Sequence, residues 1–213
     1  FPEGITVQEM SEILSSRIPL FETDTFLLFA KPYEGYLFPD TYEFYPDVTP
    51  EEVIMRMRER FDEVWKEVEE ENVPYNPDAH PLVHDTQERM VIMASILEKE
   101  TKVGNDRNLV SGILWTRIEL GMPLQVDAVF GYIHGVDTFH PSFDDLEIDS
   151  PYNTYKYRDL PKGPIGNPGR DALLSARNPI WSPYLYYLTG SDGAVHFAKT
   201  FEEHKENREN YLR

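Results

Sequence analysis

The chain has 213 residues, with 20 Lys and Arg against 38 Asp and Glu, for a formal net charge of −18 with His neutral. An isoelectric point near 4.6 excludes the basic footprint a phosphate backbone needs, so nucleic acid is not an expected partner, and an anionic membrane surface is disfavoured for the same reason. With 40% hydrophobic and 13% aromatic residues and no Cys, the chain can bury a core as one large or two small domains, without disulfides, thiolate metal sites or cysteine nucleophiles.

The chain begins at Phe1 rather than Met, and its longest apolar runs, such as 26–30, are too short to cross a bilayer. It reads as a fragment lacking an N-terminal portion, so the lack of a signal or anchor does not mark a cytosolic protein. Thr6 with Glu9 three residues on resembles a capping box, and Met10, Ile13 and Leu14 predict a short helix ending near Arg17 before Pro19. The apolar run 25–30 fits a strand or a buried helical turn equally well.

A long helix is predicted from Thr49 to about Glu71, with Pro50 at its first position and Val53, Met57, Phe61, Val64, Trp65 and Val68 at helical steps. Its opposite face, from Arg58 to Glu70, is charged and solvated. Residues 72–85 hold three Pro and no periodicity, which makes them a candidate linker between an N-terminal lobe, 1–75, and a catalytic lobe, 76–213. Two helices follow as a hairpin around 103–105: one from Thr86 to Glu100, and one from Asp106 through Ile118 with Gly121 as its C-terminal cap.

Residues 131–168 are rich in Pro, Gly, Tyr, Asn and Asp, a long loop of the kind that carries function. Asn167 and Pro168 read as the cap and first turn of a short helix through Ala176. A hairpin (184–188 and 195–198 around 190–193) and a final helix capped by Thr200 and Glu203 complete the chain. The expected fold class is α+β: a mostly helical N-terminal lobe, then a catalytic lobe of a helical hairpin and a small antiparallel sheet.

Glu98, Lys99 and Glu100 end a helix that is apolar almost all round. A carboxyl above such a face has its pKa raised by burial and remains a proton donor near neutrality. Helical counting places Glu100 with Met93, Ile96 and Leu97, and Glu98 with Val91, Ala94 and Ser95, so spacing does not choose between them. Exposed charges at a helix end are the bland alternative.

Several segments resemble, in order, the YceG-like endolytic murein transglycosylases: Glu34-Gly35-Tyr36-Leu37-Phe38-Pro39-Asp40-Thr41-Tyr42, Ala94-Ser95-Ile96-Leu97-Glu98-Lys99-Glu100-Thr101, Gly121-Met122-Pro123-Leu124-Gln125 and Ser150-Pro151-Tyr152-Asn153-Thr154-Tyr155. Leu160-Pro161-Lys162-Gly163-Pro164-Ile165-Gly166-Asn167-Pro168-Gly169, Tyr184-Leu185-Tyr186, His196-Phe197 and Glu203-His204 continue it, so the similarity covers essentially the whole chain. The resemblance implies a bacterial cell-wall lyase that cuts within glycan strands between N-acetylmuramic acid and N-acetylglucosamine, leaving 1,6-anhydro ends. It also implies that Glu100, the second Glu of the Glu-Lys-Glu-Thr motif, is the catalytic acid and base. One carboxyl suffices because the muramic acid 6-hydroxyl attacks its own anomeric carbon, with neither water nor a second carboxylate.

Gln125, Tyr152, Asn153, Thr154 and Asn167 are candidate sugar-binding residues, since amides and hydroxyls match sugar hydroxyls and N-acetyl groups and these positions match the family motifs; Asn153 and Asn167 also suit plain turn capping. Asp127 follows Gln125 as the family pattern requires and is a candidate to orient or polarise the site. The sequence then departs from the family, with Ala128-Val129-Phe130 in place of Pro-Thr-Val. Glu34 and Asp40 flank an aromatic turn that lines the cleft or serves as structure, and His196 and His204 match family positions suited to supporting hydrogen bonds.

No metal or cofactor is expected: His80 and His84 are four apart but separated by Pro81, and no HExxH occurs. Peptidoglycan strands are the implied partner, with cell-wall synthases and an N-terminal membrane helix implied by the family, which places the protein outside the cytoplasmic membrane. Two alternatives stand beside the lyase. One is a non-catalytic wall-binding module, and the other is a hydrolase using water and a second carboxylate, Asp127 or Asp40.

Overall fold

A computed structural model of the chain describes residues 1–71, 86–101, 105–136 and 140–212. Helix α1, Val7–Arg17, starts at Thr6, whose side chain accepts from the Glu9 N–H while Glu9 accepts from the Thr6 N–H. The ambiguous apolar run is helical: α2, Thr23–Ala30, buries Phe26 and Ala30 one turn apart and leaves Leu28 and Phe29 outside, and a 3-10 turn, Lys31–Tyr33, follows. Helix α3, Pro50–Glu70, has the expected capping box from Thr49 and Glu52.

Helix α3 joins two hydrophobic clusters. Val53, Ile54 and Met57 pack with Met10, Leu14, Phe26 and Leu37, whereas Phe61, Val64, Trp65 and Val68, further along the same face, pack with the second cluster. The second cluster is built on α4, Gln87–Glu100, in which every residue from Met90 to Leu97 is buried. Around it lie α5 (Asn105–Glu119), α6 (Ala128–His134), the short α7 (Phe143–Leu146) and α8 (Arg170–Arg177). Strands β1, Tyr186–Thr189, and β2, Val195–Ala198, form an antiparallel hairpin with Tyr187 opposite Phe197, and α9, Phe201–Tyr211, packs on it. The fold is α+β, helical with one two-stranded sheet.

Three sequence expectations need correction. Residues 131–168 are not one loop, because α6 and α7 occupy part of them. The short helix is capped by Gly169 rather than Asn167, since the Asn167 side chain is already bonded to Ile5, Glu34 and Leu37. The first strand runs 186–189, not 184–188. The linker at 72–85, with the proposed lobe boundary, His80 and His84, lies outside the described residues, as does most of the hairpin turn around 103–105.

The motif segments meet where the two clusters join. Gly35 has φ +86, and a Cβ there would lie 2.4 Å from Pro164, so this contact between the Glu34–Tyr42 and Leu160–Gly169 segments requires glycine. Asn167 accepts from the Leu37 N–H at 2.9 Å and donates to Ile5 O at 2.9 Å and Glu34 Oε1 at 2.8 Å. The 162-residue separation between Asn167 and Ile5 shows that this is a tertiary clamp.

Candidate active site

Glu100 ends α4, where the helix carbonyls point outward and disfavour a negative charge. Its side chain lines a cleft of about 870 Å³, bounded by α1, the 124–128 segment, α6, β1 and α9. Glu100 Oε2 accepts a hydrogen bond from Tyr187 Oη at 3.0 Å. Burial pushes the carboxyl from an ordinary 4.5 up to about 7; the nearby Asp127 charge adds to the rise, while the Tyr187 hydroxyl and the Ala128 backbone N–H oppose it. The result is a carboxyl that both gives and takes a proton near neutrality.

Glu98, two residues earlier, lies elsewhere. Its Oε1 accepts from Arg107 Nη2 at 3.2 Å and its Oε2 from the Gly169 N–H at 2.9 Å, with both charged side chains under 10% exposed. It does not line the cleft. Geometry thus separates the two carboxylates that helical phase left equivalent.

Gln125 and Asp127 stand on the cleft wall with Glu100. Gln125 has φ +53, a sparsely populated conformation held by its surroundings: its N–H donates to Thr154 O at 3.1 Å, and its Oε1 accepts from Arg117 Nη2 at 2.8 Å. Asp127 precedes α6, and its Oδ1 accepts from Tyr155 Oη at 2.5 Å. The departure from the family pattern after Asp127 falls in the first turn of α6, whose leading N–H faces Glu100.

The YceG-like family model matches residues 1–210. The chain belongs to the YceG-like family. It is 37% identical over 182 residues to a protein of Bacillus subtilis (strain 168) named endolytic murein transglycosylase, covering 85% of this chain and 48% of that one. A protein of the same name from Streptococcus pneumoniae serotype 2 is 31% identical over 184 residues, covering 82% of this chain and 31% of its own length. A YceG-like protein of Listeria monocytogenes, known from its crystal structure, superposes with a TM-score of 0.80 at 29% identity, over 96% of this chain and 74% of that one. The chain thus spans about half the length of one curated relative and about a third of the other.

Within this YceG-like fold the remaining candidate sugar-binding residues sit behind the wall rather than on it. Asn153 and Asn167 are 0% exposed and Thr154 is 1% exposed. Asn153 donates to Leu146 O and Ile148 O and accepts from the Tyr155 and Lys156 N–H groups, a turn-capping role. The Thr154 hydroxyl accepts from the Val126 N–H at 3.0 Å, fixing the segment that presents Gln125 and Asp127. Tyr152 packs against Tyr132, ring centroids 4.9 Å apart, and it is Tyr132 that reaches the cleft.

Glu34 and Asp40 also stay off the wall. Glu34 is buried, accepts from the Val7 N–H and Asn167 Nδ2, and is pushed up to about 7 by burial. Asp40 pairs with Arg60 at 3.0 Å. His196 bonds Asp192 and stacks on Tyr211, whereas His204 does line the cleft, with its ring on Tyr186.

Sequence reading missed Tyr187, Arg117 and Tyr155. Nothing in local spacing marks the tyrosines, because their partners are distant in sequence. Arg117 did carry a signal: it falls in helical register with the buried Val110, Ile113 and Leu114, an unusual place for a cation.

Proposed function

We propose that this chain is an endolytic peptidoglycan lytic transglycosylase that cleaves the MurNAc-β-1,4-GlcNAc bond within glycan strands, with Glu100 as general acid and then general base. One observation carries this reading: a carboxyl poised near pH 7 on the wall of a large cleft, in a chain whose relatives of that name match most of its length.

Protonated Glu100 gives its proton to the glycosidic oxygen as the bond from the muramyl C1 breaks, and the N-acetylglucosamine side leaves with a free hydroxyl. The muramyl 6-hydroxyl oxygen then bonds to C1, and its proton returns to Glu100. The acid is regenerated, no water is consumed, and an anhydro end remains. Between the two transfers the Tyr187 hydroxyl stabilises the ionised carboxylate. Ring closure by a group already on the sugar gains from proximity. Gln125 offers its amide to the sugar, with its orientation set by Arg117; Asn153, Thr154 and Asn167 serve by holding that wall, and Tyr152 by supporting Tyr132.

Such an enzyme acts at the extracytoplasmic face of the cytoplasmic membrane, terminating strands beside cell-wall synthases and held by an N-terminal anchor. Among the described residues no helix is long and apolar enough to cross a membrane. A two-carboxylate hydrolase is the second reading, favoured only by the position of Asp127 on the same wall as Glu100.

Digestion of purified strands by the wild type and by Glu100→Gln, with mass spectrometry of the new ends, separates these outcomes. Anhydro ends that vanish in the variant are expected. Reducing ends would instead indicate hydrolysis, and binding without new ends a non-catalytic module.

A further inference from the structure

Arg117 is a buried guanidinium with no paired carboxylate among the described residues. The residue is 5% exposed, yet it reaches the cleft wall from α5. Its side chain makes one hydrogen bond, to Gln125, while Nε is buried with no acceptor. The Tyr186 ring lies 5.6 Å from its Cζ, and its electrostatic neighbours are Tyr187, Tyr186 and Tyr155, none of them a carboxylate. On the same wall His204 has a buried Nδ1 with no partner among the described residues, and burial lowers its pKa, which favours the neutral ring beside Arg117.

A cation held out of water without a counter-charge is costly, and proteins keep one where a ligand completes it. Among the described residues, no Asp or Glu is paired with Arg117. The guanidinium fork matches a carboxylate. Along an N-acetylglucosamine and N-acetylmuramic acid strand, only the muramyl unit carries such a group, through its lactyl ether. Tyr187 is the common neighbour of Glu100 and Arg117. Glu100 and Arg117 thus line one cleft, with Tyr187 between them.

We propose that Arg117 is the cleft's receptor for a carboxylate of the muramyl unit: the free lactyl carboxylate where the peptide has been removed, or a stem-peptide carboxylate where it has not. This assignment rests on the wall-strand reading above and adds the group that fixes which sugar occupies the site beside Glu100.

Dissociation constants measured in the Glu100→Gln background, where turnover is too slow to consume the probe, test it. The probes are soluble peptide-free strands, soluble stem-bearing strands, both again after amidation of their carboxyls, and chito-oligosaccharides that lack the lactyl group. Adding Arg117→Gln is expected to weaken carboxylate-bearing probes about tenfold more than amidated probes and chito-oligosaccharides, which lose only what the orientation of Gln125 contributes. Amidation alone should cost the parent the same factor and cost the Arg117→Gln protein nothing. The strand type that loses more identifies the carboxylate.

Arg117→Lys, which keeps the charge but not the fork, should recover part of the affinity. A purely structural role would weaken every probe alike, and that result overturns the proposal, as does equal parental affinity for carboxylate and amidated strands. If Arg117→Gln fails to fold, the parent and Arg117→Lys decide on amidated against native probes. Failure of every probe to bind would sink the wall-strand reading as well. Anhydro-end formation indifferent to amidation and to Arg117→Gln would remove only the Arg117 assignment.

Discussion

Two acid and arginine sets lie close together in this fold and are treated in opposite ways. Glu98 and Arg107 are both buried and satisfy each other, and Glu98 spends its second oxygen on the N-terminal N–H of α8. Glu100 and Arg117 are set on the cleft wall without touching, with Tyr187 as their shared neighbour. The first set is neutralised and bolts α4 to α5 and α8. The second leaves a carboxyl with a raised pKa and a guanidinium with a buried Nε that has no acceptor among the described residues, a combination that marks candidate functional sites. Two residues of helix separate a carboxylate held in a buried ion pair from one set on the cleft wall.

Exchanging the acids one at a time should break the comparison most sharply. Glu100→Gln is expected to lower turnover by about 10²–10⁴-fold, the usual share of a general acid and base, with little change in melting temperature. Glu98→Gln should do the reverse: removing the carboxylate that faces buried Arg107, which keeps its bonds to Thr101, costs about 1–3 kcal/mol of stability, while protein that remains folded still makes anhydro ends. Urea melts and end-group mass spectrometry on both variants check this. Full turnover by Glu100→Gln would exchange the roles assigned to the two sites.

Features set by neighbours three or four residues apart were legible in the sequence. The capping boxes at Thr6, Thr49 and Thr200 are all present, because each needs only a hydroxyl and a carboxylate one turn on. Helix phase could not rank Glu98 against Glu100, because α4 is buried all round and has no polar face to orient it. The contacts that make the site are remote: Tyr187 is 87 residues from Glu100, and Asn167 is 130 from Leu37. The two asparagines expected at the sugar, Asn153 and Asn167, are buried scaffold, since a fully buried Asn makes a cheap multi-bond clamp between backbone segments.

Glu34 sharpens the comparison by separating a raised pKa from a reactive position. Burial takes it to about 7, as for Glu100, but its oxygens accept from Val7, Asn167 and Tyr132, and the Tyr132 side chain stands between it and the cleft. Its folded pKa lies above the ordinary 4.5, so its stabilising contribution is full below the unfolded value and is lost as pH rises through about 7. Between pH 5 and 8 this loss is on the order of 2 kcal/mol. Glu34→Gln should remove that part of the pH dependence in denaturation curves while leaving the pH dependence of turnover in place. A turnover profile that moved with Glu34 would mean that the junction and the cleft titrate as one unit.

The smallest expected effects test what sets the Glu100 pKa. Bond cleavage needs the protonated acid, so kcat/KM should fall as pH rises through about 7. The Tyr187 hydroxyl stabilises the ionised form and holds the pKa down; Tyr187→Phe should therefore move the alkaline limb to higher pH, by about one unit or less. The Asp127 charge acts in the opposite direction, so Asp127→Asn should move the limb to lower pH by a similar or smaller amount. Loss of the Tyr155 bond to Asp127 would lower the plateau rate without shifting the limb, which keeps wall distortion distinct from electrostatics. Opposite displacements from two residues on one wall would tie the limb to Glu100 itself, whereas displacement in the same direction would place the titrating group elsewhere.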